Sequence, residues 1–299
     1  MSNISLIIEE KAADIGNFLV GRLLPFVQKK NVGPFVFIDH MGPKNLSADE
    51  NLDIAPHPHI GLSTLTFLFE GALMHRDSLG NQMEITPGAV NWMSAGKGVV
   101  HSERTPDRLR DKAKVLHGLQ IWVALPLDKE QMSPTFQHVE STEIPLWYIN
   151  SVRYRLIAGT LMDKISPVKA YSKFYFLEIF TPQDAFIDIG EELYGEVAMY
   201  ILEGQVTLEG QLMGGKQLII AKDAKLCSFQ MQSGTTLYLF GGEPLQEQHY
   251  IDWNFVSADK ARIAKAREDW YYQNHEVFPK VVGEGDEYVP LPARSLPLR

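Results

Sequence analysis

Apolar residues along this chain fall in short runs, some alternating with polar positions and some continuous. FVFI (35–38), LSTLTFLFE (62–70), LQIWVAL (119–125), YRLIAG (154–159), KFYFLEIF (173–180), VAMYIL (197–202) and TTLYLF (235–240) are dense in β-branched and aromatic side chains. Those residue types fit a pleated, half-buried surface. Turn-forming residues punctuate the runs at SLGN (78–81), PGA (87–89), EGQ (203–205) and GGK (214–216). Many short strands at even spacing predict an all-β chain folded as a sandwich or barrel. Helical periodicity stands out in one place, SADKARIAKAREDWYYQ (257–273), where Ser257 suits an N-cap and Ile263, Ala266 and Trp270 share a face.

The two halves of the chain repeat one pattern. GLSTLTFLFEG (61–71) is an apolar strand that ends in Glu-Gly before a hairpin, and GEVAMYILEG (195–204) has the same shape. Gly71 and Gly204 lie 133 positions apart (204 − 71), as an internal duplication of one β-barrel module would place them. Residues 126–147, PLDKEQMSPTFQHVESTEIPLW, mix charges with three prolines and read as the linker. The tail after Pro279, rich in Pro, Gly and acidic residues, is expected to be extended and held by few contacts.

Composition fits this outline. A chain of 299 residues exceeds the usual size of one hydrophobic core, and 45% apolar with 22% charged residues is ordinary for packed domains. The net charge of −9 argues against a phosphate backbone as partner, since that calls for a basic patch. With Cys227 as the one cysteine, no intrachain disulfide can form, which fits a reducing compartment. The opening MSNISLIIEEKAADIG lacks the basic and long apolar regions of a secretion signal, and no apolar stretch approaches the length of a membrane span. The expectation is a cytoplasmic protein without a membrane partner.

Candidate chemistry sits in two short motifs. HPH places His57 and His59 two residues apart just before a strong strand, and HSE places His101 and Glu103 two residues apart after AGKGVV. In an extended segment, residues i and i+2 project to one face. If the stretch between the motifs forms antiparallel strands, three imidazoles and one carboxylate can meet inside a barrel. Such a set suits one divalent transition metal: iron, manganese, nickel, copper or zinc. Either motif alone is weak, because a surface pair or a solvated loop would explain it; together they point to a metal. His75 and Asp77, in MHRDSLGN, read equally as a pair supporting the metal from behind or as polar residues at a hairpin end. His40 reads as a loop histidine and His117 as a buried strand histidine. Phe67, Phe69, Met74, Trp92 and Met93 are expected in ordinary core. The second half has no histidine between His138 and His249. Shifting the four candidate ligands by 133 lands on Gly190, Glu192, Gly234 and Thr236, which cannot hold a metal.

The chain resembles the pirin family of bicupin proteins. The likeness is carried by HPHIGLSTLTFLFEGALMHRDSLGN (57–81) and PGAVNWMSAGKGVVHSE (87–103), with FIDHMGP (37–43), LHGLQIWVALP (116–126), GGEPL (241–245) and WNFVS (253–257) in support. This resemblance implies two tandem cupin (jelly-roll) β-barrels with a C-terminal helix. The N-terminal cupin, 1–135, would bind the metal; the C-terminal one, 140–299, would bind none and would carry the helix 257–273. Carried over by position, the metal ligands are His57, His59, His101 and Glu103, and the usual metal is Fe(II).

The resemblance implies three functions. One is a dioxygenase that resembles quercetin 2,3-dioxygenase, acting on a flavonol or other phenolic with O2, with Glu103 both ligand and catalytic base. Another is a non-enzymatic, iron-dependent regulator that binds a transcription factor as protein partner. The third is a regulator that binds a metabolic enzyme. The first is the favoured expectation.

Overall fold

The computed structural model describes residues 2–15, 18–222 and 228–292; Cys227 lies outside the described residues. The described chain is mostly strand, with one α-helix, Lys260–Tyr271. Contacts divide it into two compact units, neither a continuous stretch of sequence. The first is built on His40–His138 and the segment that begins at Leu245; the second on Val139–Pro244 with N-terminal segments up to Asp39.

Each unit pairs a larger antiparallel sheet with a four-stranded one, and the strand orders correspond. In the first unit the small sheet runs Asp53–His59, Val99–Arg104, Leu73–Asp77, Gln82–Ile85. In the second it runs Ala185–Asp188, Ser228–Met231, Gln205–Leu208, Gln211–Gly214. The larger sheets correspond likewise: Val90–Ser94, Leu62–Glu70, Lys114–Ala124 against Gln217–Ala221, Glu196–Glu203, Thr235–Gly242. These are two jelly-roll barrels, as the duplicated pattern predicts.

A constant offset does not relate them. Equivalent strands start 134 positions apart early in the module (196 − 62) and 121 apart late in it (235 − 114). The second module has shorter connections, so Gly190, Glu192, Gly234 and Thr236 are not the counterparts of the candidate ligands. The true counterparts lie on Ala185–Asp188 and Ser228–Met231. There Ile187, Phe229 and Met231 point inward, into the apolar core with Met199, Leu237 and Leu239.

The structure corrects three local expectations. The helix begins at Lys260, capped by Asp259, whose carboxylate accepts a hydrogen bond from the Ala261 N–H at 2.8 Å; Ser257 ends the strand Phe255–Ser257 instead. Its apolar face packs with Ile60, Val100 and Phe255, so the helix belongs to the unit that carries the histidines. The 126–147 stretch is more than linker: it includes the strands Thr135–Val139 and Leu146–Ile149 and the buried Glu130. The tail after Pro279 is anchored, because Val281 is buried, the Val289 N–H donates to the Pro56 carbonyl at 2.8 Å, and the Glu284 side chain takes three partners.

Candidate metal centre

Strand pairing brings the two motifs together. Val99–Arg104 lies antiparallel to Asp53–His59 with His101 directly opposite His57, and on its other side to Leu73–Asp77, with His101 opposite Asp77 and Glu103 opposite His75. Alternation sends His101 and Glu103 inward and Ser102 and Arg104 outward. The register slips between His101 and Glu103: Ala55 and Pro56 together face Ser102, a β-bulge.

The rings of His57, His59 and His101 converge. Their centroids lie 4.3 Å (His57–His101), 5.1 Å (His57–His59) and 5.0 Å (His59–His101) apart, and all three side chains are buried. One potential ligand atom from each lies within 4.8 Å of the others. Glu103 is buried too, but it does not belong to this trio; its Oε1 lies 3.3 Å from the Thr66 hydroxyl, which lies 2.9 Å from Gln120 Oε1.

Hydrogen-bond partners assign the histidine tautomers. His57 Nδ1 is 2.9 Å from the Ala55 carbonyl and His59 Nδ1 is 3.1 Å from the Asn254 carbonyl. A carbonyl only accepts, so both Nδ1 atoms carry the proton and both Nε2 atoms are bare. His75 Nε2 sits 3.0 Å from Asp77 Oδ2 and donates to that carboxylate. Its Nδ1 is then the acceptor for His101 Nδ1, 3.4 Å away. His101 Nε2 is bare in turn. Three Nε2 lone pairs therefore face one another, with those of His59 and His101 3.1 Å apart and no proton to share. A cation satisfies that arrangement; water-excluded lone pairs alone do not. The donor set fits a borderline divalent transition metal.

Electrostatics keep the three histidines in the state a metal would need. Burial pulls His57 down to about 4, and burial with the neighbouring imidazoles holds His59 and His101 well below the usual histidine value. All three stay neutral at pH 7, as coordination requires. Burial pushes the Glu103 carboxyl up, against the lowering hydrogen bond from the Thr66 hydroxyl. Asp77 goes the other way: burial would raise it, but hydrogen bonds from His75 and Asn81 hold it below the usual value.

His75 and Asp77 thus form one hydrogen-bonded pair behind His101, with His75 stacked on Phe136 at 4.5 Å. His40 sits in the strand Phe35–Leu46 and not in a loop; its Nε2 meets Nε2 of His117 at 2.8 Å, and both are buried. Phe67, Trp92 and Met93 are buried, as core aromatics and methionines would be. The sequence reading missed Thr66 and Gln120; each is a polar residue on a mostly apolar strand that also carries other polar positions, so residue type alone did not single them out. It also missed the carbonyls of Ala55 and Asn254, which no side chain announces. Gly61 lets Asn254 approach. At φ +67°, its missing Cβ would stand 1.9 Å from the Val256 carbonyl, so a side chain here would push away the hairpin that holds Asn254.

A family model described as Pirin matches residues 18–123, and one described as Pirin C-terminal cupin domain matches 176–276. A pirin-like protein of Caulobacter vibrioides is 39% identical over 292 residues, covering 97% of this chain and 99% of the relative. The crystal structure of a quercetin 2,3-dioxygenase from Acinetobacter baumannii superposes with a TM-score of 0.88 at 29% identity, covering 98% of this chain and 97% of that one. A bacterial pirin of Escherichia coli, solved in complex with nickel(II), shares the fold with a TM-score of 0.61 at 19% identity, covering 80% of this chain and 100% of that one.

Proposed function

The chain belongs to the pirin family, and from that premise we propose that it is a dioxygenase dependent on one divalent transition metal, Fe(II) foremost. Its ligands in this reading are His57, His59, His101 and Glu103, and its substrates are O2 and a flavonol or related phenolic. The observation that carries the reading is the set of three buried Nε2 lone pairs turned on one point by the tautomers their outer partners impose. The similarity to a quercetin 2,3-dioxygenase supports the substrate class.

When bound, the metal supplies a Lewis acid for the phenolic oxygen and the redox capacity that O2 chemistry needs. The chain's own residues do the rest. Glu103 takes the proton of the substrate hydroxyl onto its carboxylate. It is buried beside the histidines, within reach of a group held at their Nε2 atoms. Thr66, whose hydroxyl donates to the Glu103 carboxylate at 3.3 Å, holds that carboxylate in place. Trp122 packs edge-on against His59 at 5.2 Å and Phe136 stacks on His75, so both fix the imidazoles they touch. The asymmetry of the site, one carboxylate beside three neutral imidazoles, leaves Glu103 as the group suited to move a proton.

Oxygen uptake by the iron-loaded protein with quercetin and a phenolic panel tests the reading. The wild type is expected to consume O2. Glu103→Gln, shown by metal analysis to retain its metal, is expected to lose roughly 10²- to 10⁴-fold in rate. No uptake above that of free iron overturns the dioxygenase reading and leaves a regulatory, partner-binding role in its place. Unchanged uptake by Glu103→Gln removes the proton-transfer role alone.

A further inference from the structure

We infer that the C-terminal tail is a working part of the metal centre, and that Glu284 is a positioning residue which holds the His101–Glu103 strand in its ligating register. It rests on metal binding at the three histidines and not on the dioxygenase reaction.

The pairing that places the ligands is weak where it matters. The Asp53–His59 strand contains Pro56 and Pro58, which have no N–H to donate. The β-bulge then leaves Ala55 and Pro56 facing the single residue Ser102, midway between His101 and Glu103. Backbone hydrogen bonds alone therefore fix the twist of this pair poorly, at the point where a small rotation would swing both inward side chains.

The tail grips both sides of this defect. On one side the Val289 N–H donates to the carbonyl of Pro56, the bulged residue. On the other, the Glu284 carboxylate accepts from the Ser102 hydroxyl at 2.9 Å and from Arg104 Nε at 2.6 Å. Arg76 Nη1 reaches the same carboxylate at 3.4 Å. Ser102 and Arg76 are cross-strand partners, and they are the outward residues directly behind His101 and Glu103 on one strand and His75 and Asp77 on the other. One carboxylate thus ties together the strand of the ligands and the strand of the pair that sets the His101 tautomer. The Glu284 side chain is 4% exposed, so solvent does not screen these bonds as it would at the surface. Glu287, which also meets Arg104, is 62% exposed.

The test compares Glu284→Ala, Glu284→Gln and Glu287→Gln in the full-length protein. Copper(II) is the probe, with affinity read by chelator competition and site geometry by electron paramagnetic resonance. Glu284→Ala is expected to lose roughly ten- to a hundredfold in affinity, the range seen when groups supporting a ligand are removed, with altered copper hyperfine couplings. Glu284→Gln, which keeps the shape and one acceptor oxygen, is expected to recover part of the affinity, and Glu287→Gln to match wild type. If Glu284→Ala does not fold, Glu284→Gln carries the test, with a loss of several-fold expected. Wild-type affinity and an unchanged spectrum in folded Glu284 variants overturn the inference, as does a spectrum unchanged while only the melting temperature falls. A wild type that binds copper but consumes no O2 with phenolics refutes the dioxygenase reading and leaves this one standing; a wild type that binds no metal overturns both.

Discussion

His75, outside the histidine trio, is placed to set how well the trio could hold a metal. Its Nε2–H is committed to Asp77, so its Nδ1 must accept, and that forces the His101 proton onto Nδ1 and frees Nε2. His75→Phe keeps the stack on Phe136 but removes the acceptor. His101 is then free to adopt the other tautomer, and metal affinity is expected to fall roughly 10- to 100-fold. Isothermal titration with a divalent metal checks this, and an affinity within twofold of wild type would show that the His75–Asp77 pair is merely a hairpin feature. At this scale the sequence was informative about side chains and silent about backbone. The i, i+2 spacing of HPH and HSE identified the histidines, because period-two geometry is a property of any strand. Residue type left the choice for His75 and Asp77 open, and it is strand register that puts Asp77 opposite His101. The carbonyls of Ala55 and Asn254 leave no trace in residue type at all.

Among the elements, the helix and the hairpin before it depend on one carboxylate that the sequence reading assigned to a linker. Glu130 is buried and accepts from Ser257 Oγ at 2.5 Å, the Ala258 N–H at 2.8 Å and Arg262 Nη1 at 2.7 Å, with His249 Nε2 at 3.2 Å. Burial alone would raise its pKa, but hydrogen bonds from His249 and the other donors outweigh that and hold it at about 2. Burial would lower His249, but Glu130 and the carbonyls of Glu247 and Leu125 outweigh that and raise it. The two shifts bracket a pH window. The depressed Glu130 contributes stability above the ordinary glutamate value of 4.5, lost as pH falls toward about 2. The raised His249 contributes stability below 6.5, lost as pH rises through its higher folded value. Urea unfolding is therefore expected to show greatest resistance between these limits, with loss on both sides. In Glu130→Gln both flanks should flatten, and the plateau should drop by about 3 kcal/mol, since Arg262 loses its buried partner. A variant that keeps the wild-type pH profile would place the node outside the stability of the fold. Long strands such as Leu62–Glu70 were legible because their composition is distinctive over many positions. A single glutamate in a Pro-rich stretch carries no period, and neither does Glu284 in the tail, so their tertiary partners stayed hidden.

For the whole molecule, the duplicated pattern predicts two barrels but one metal. Its weak point was the assumed constant offset, which fails because the second module has shorter loops while keeping the strand order. Correcting the offset sharpens the argument. The counterparts of the ligand strands carry Ile187, Phe229 and Met231, which have no nitrogen or oxygen to offer and are packed into the second core. Phe229 and Met231 are at most 2% exposed, so the space a metal would need is already filled by side chains. Metal analysis of the reconstituted protein is therefore expected to give one transition-metal ion per chain. His57→Ala combined with His101→Ala should bring that to none, with the second barrel's unfolding unaffected because its core shares none of those residues. Two ions per chain, or one surviving in the double variant, would mean that the second module ligates through groups other than the topological counterparts. A barrel whose counterpart positions are filled by packed apolar side chains keeps only the fold of its twin, and a metal is then expected in the module that carries His57, His59 and His101.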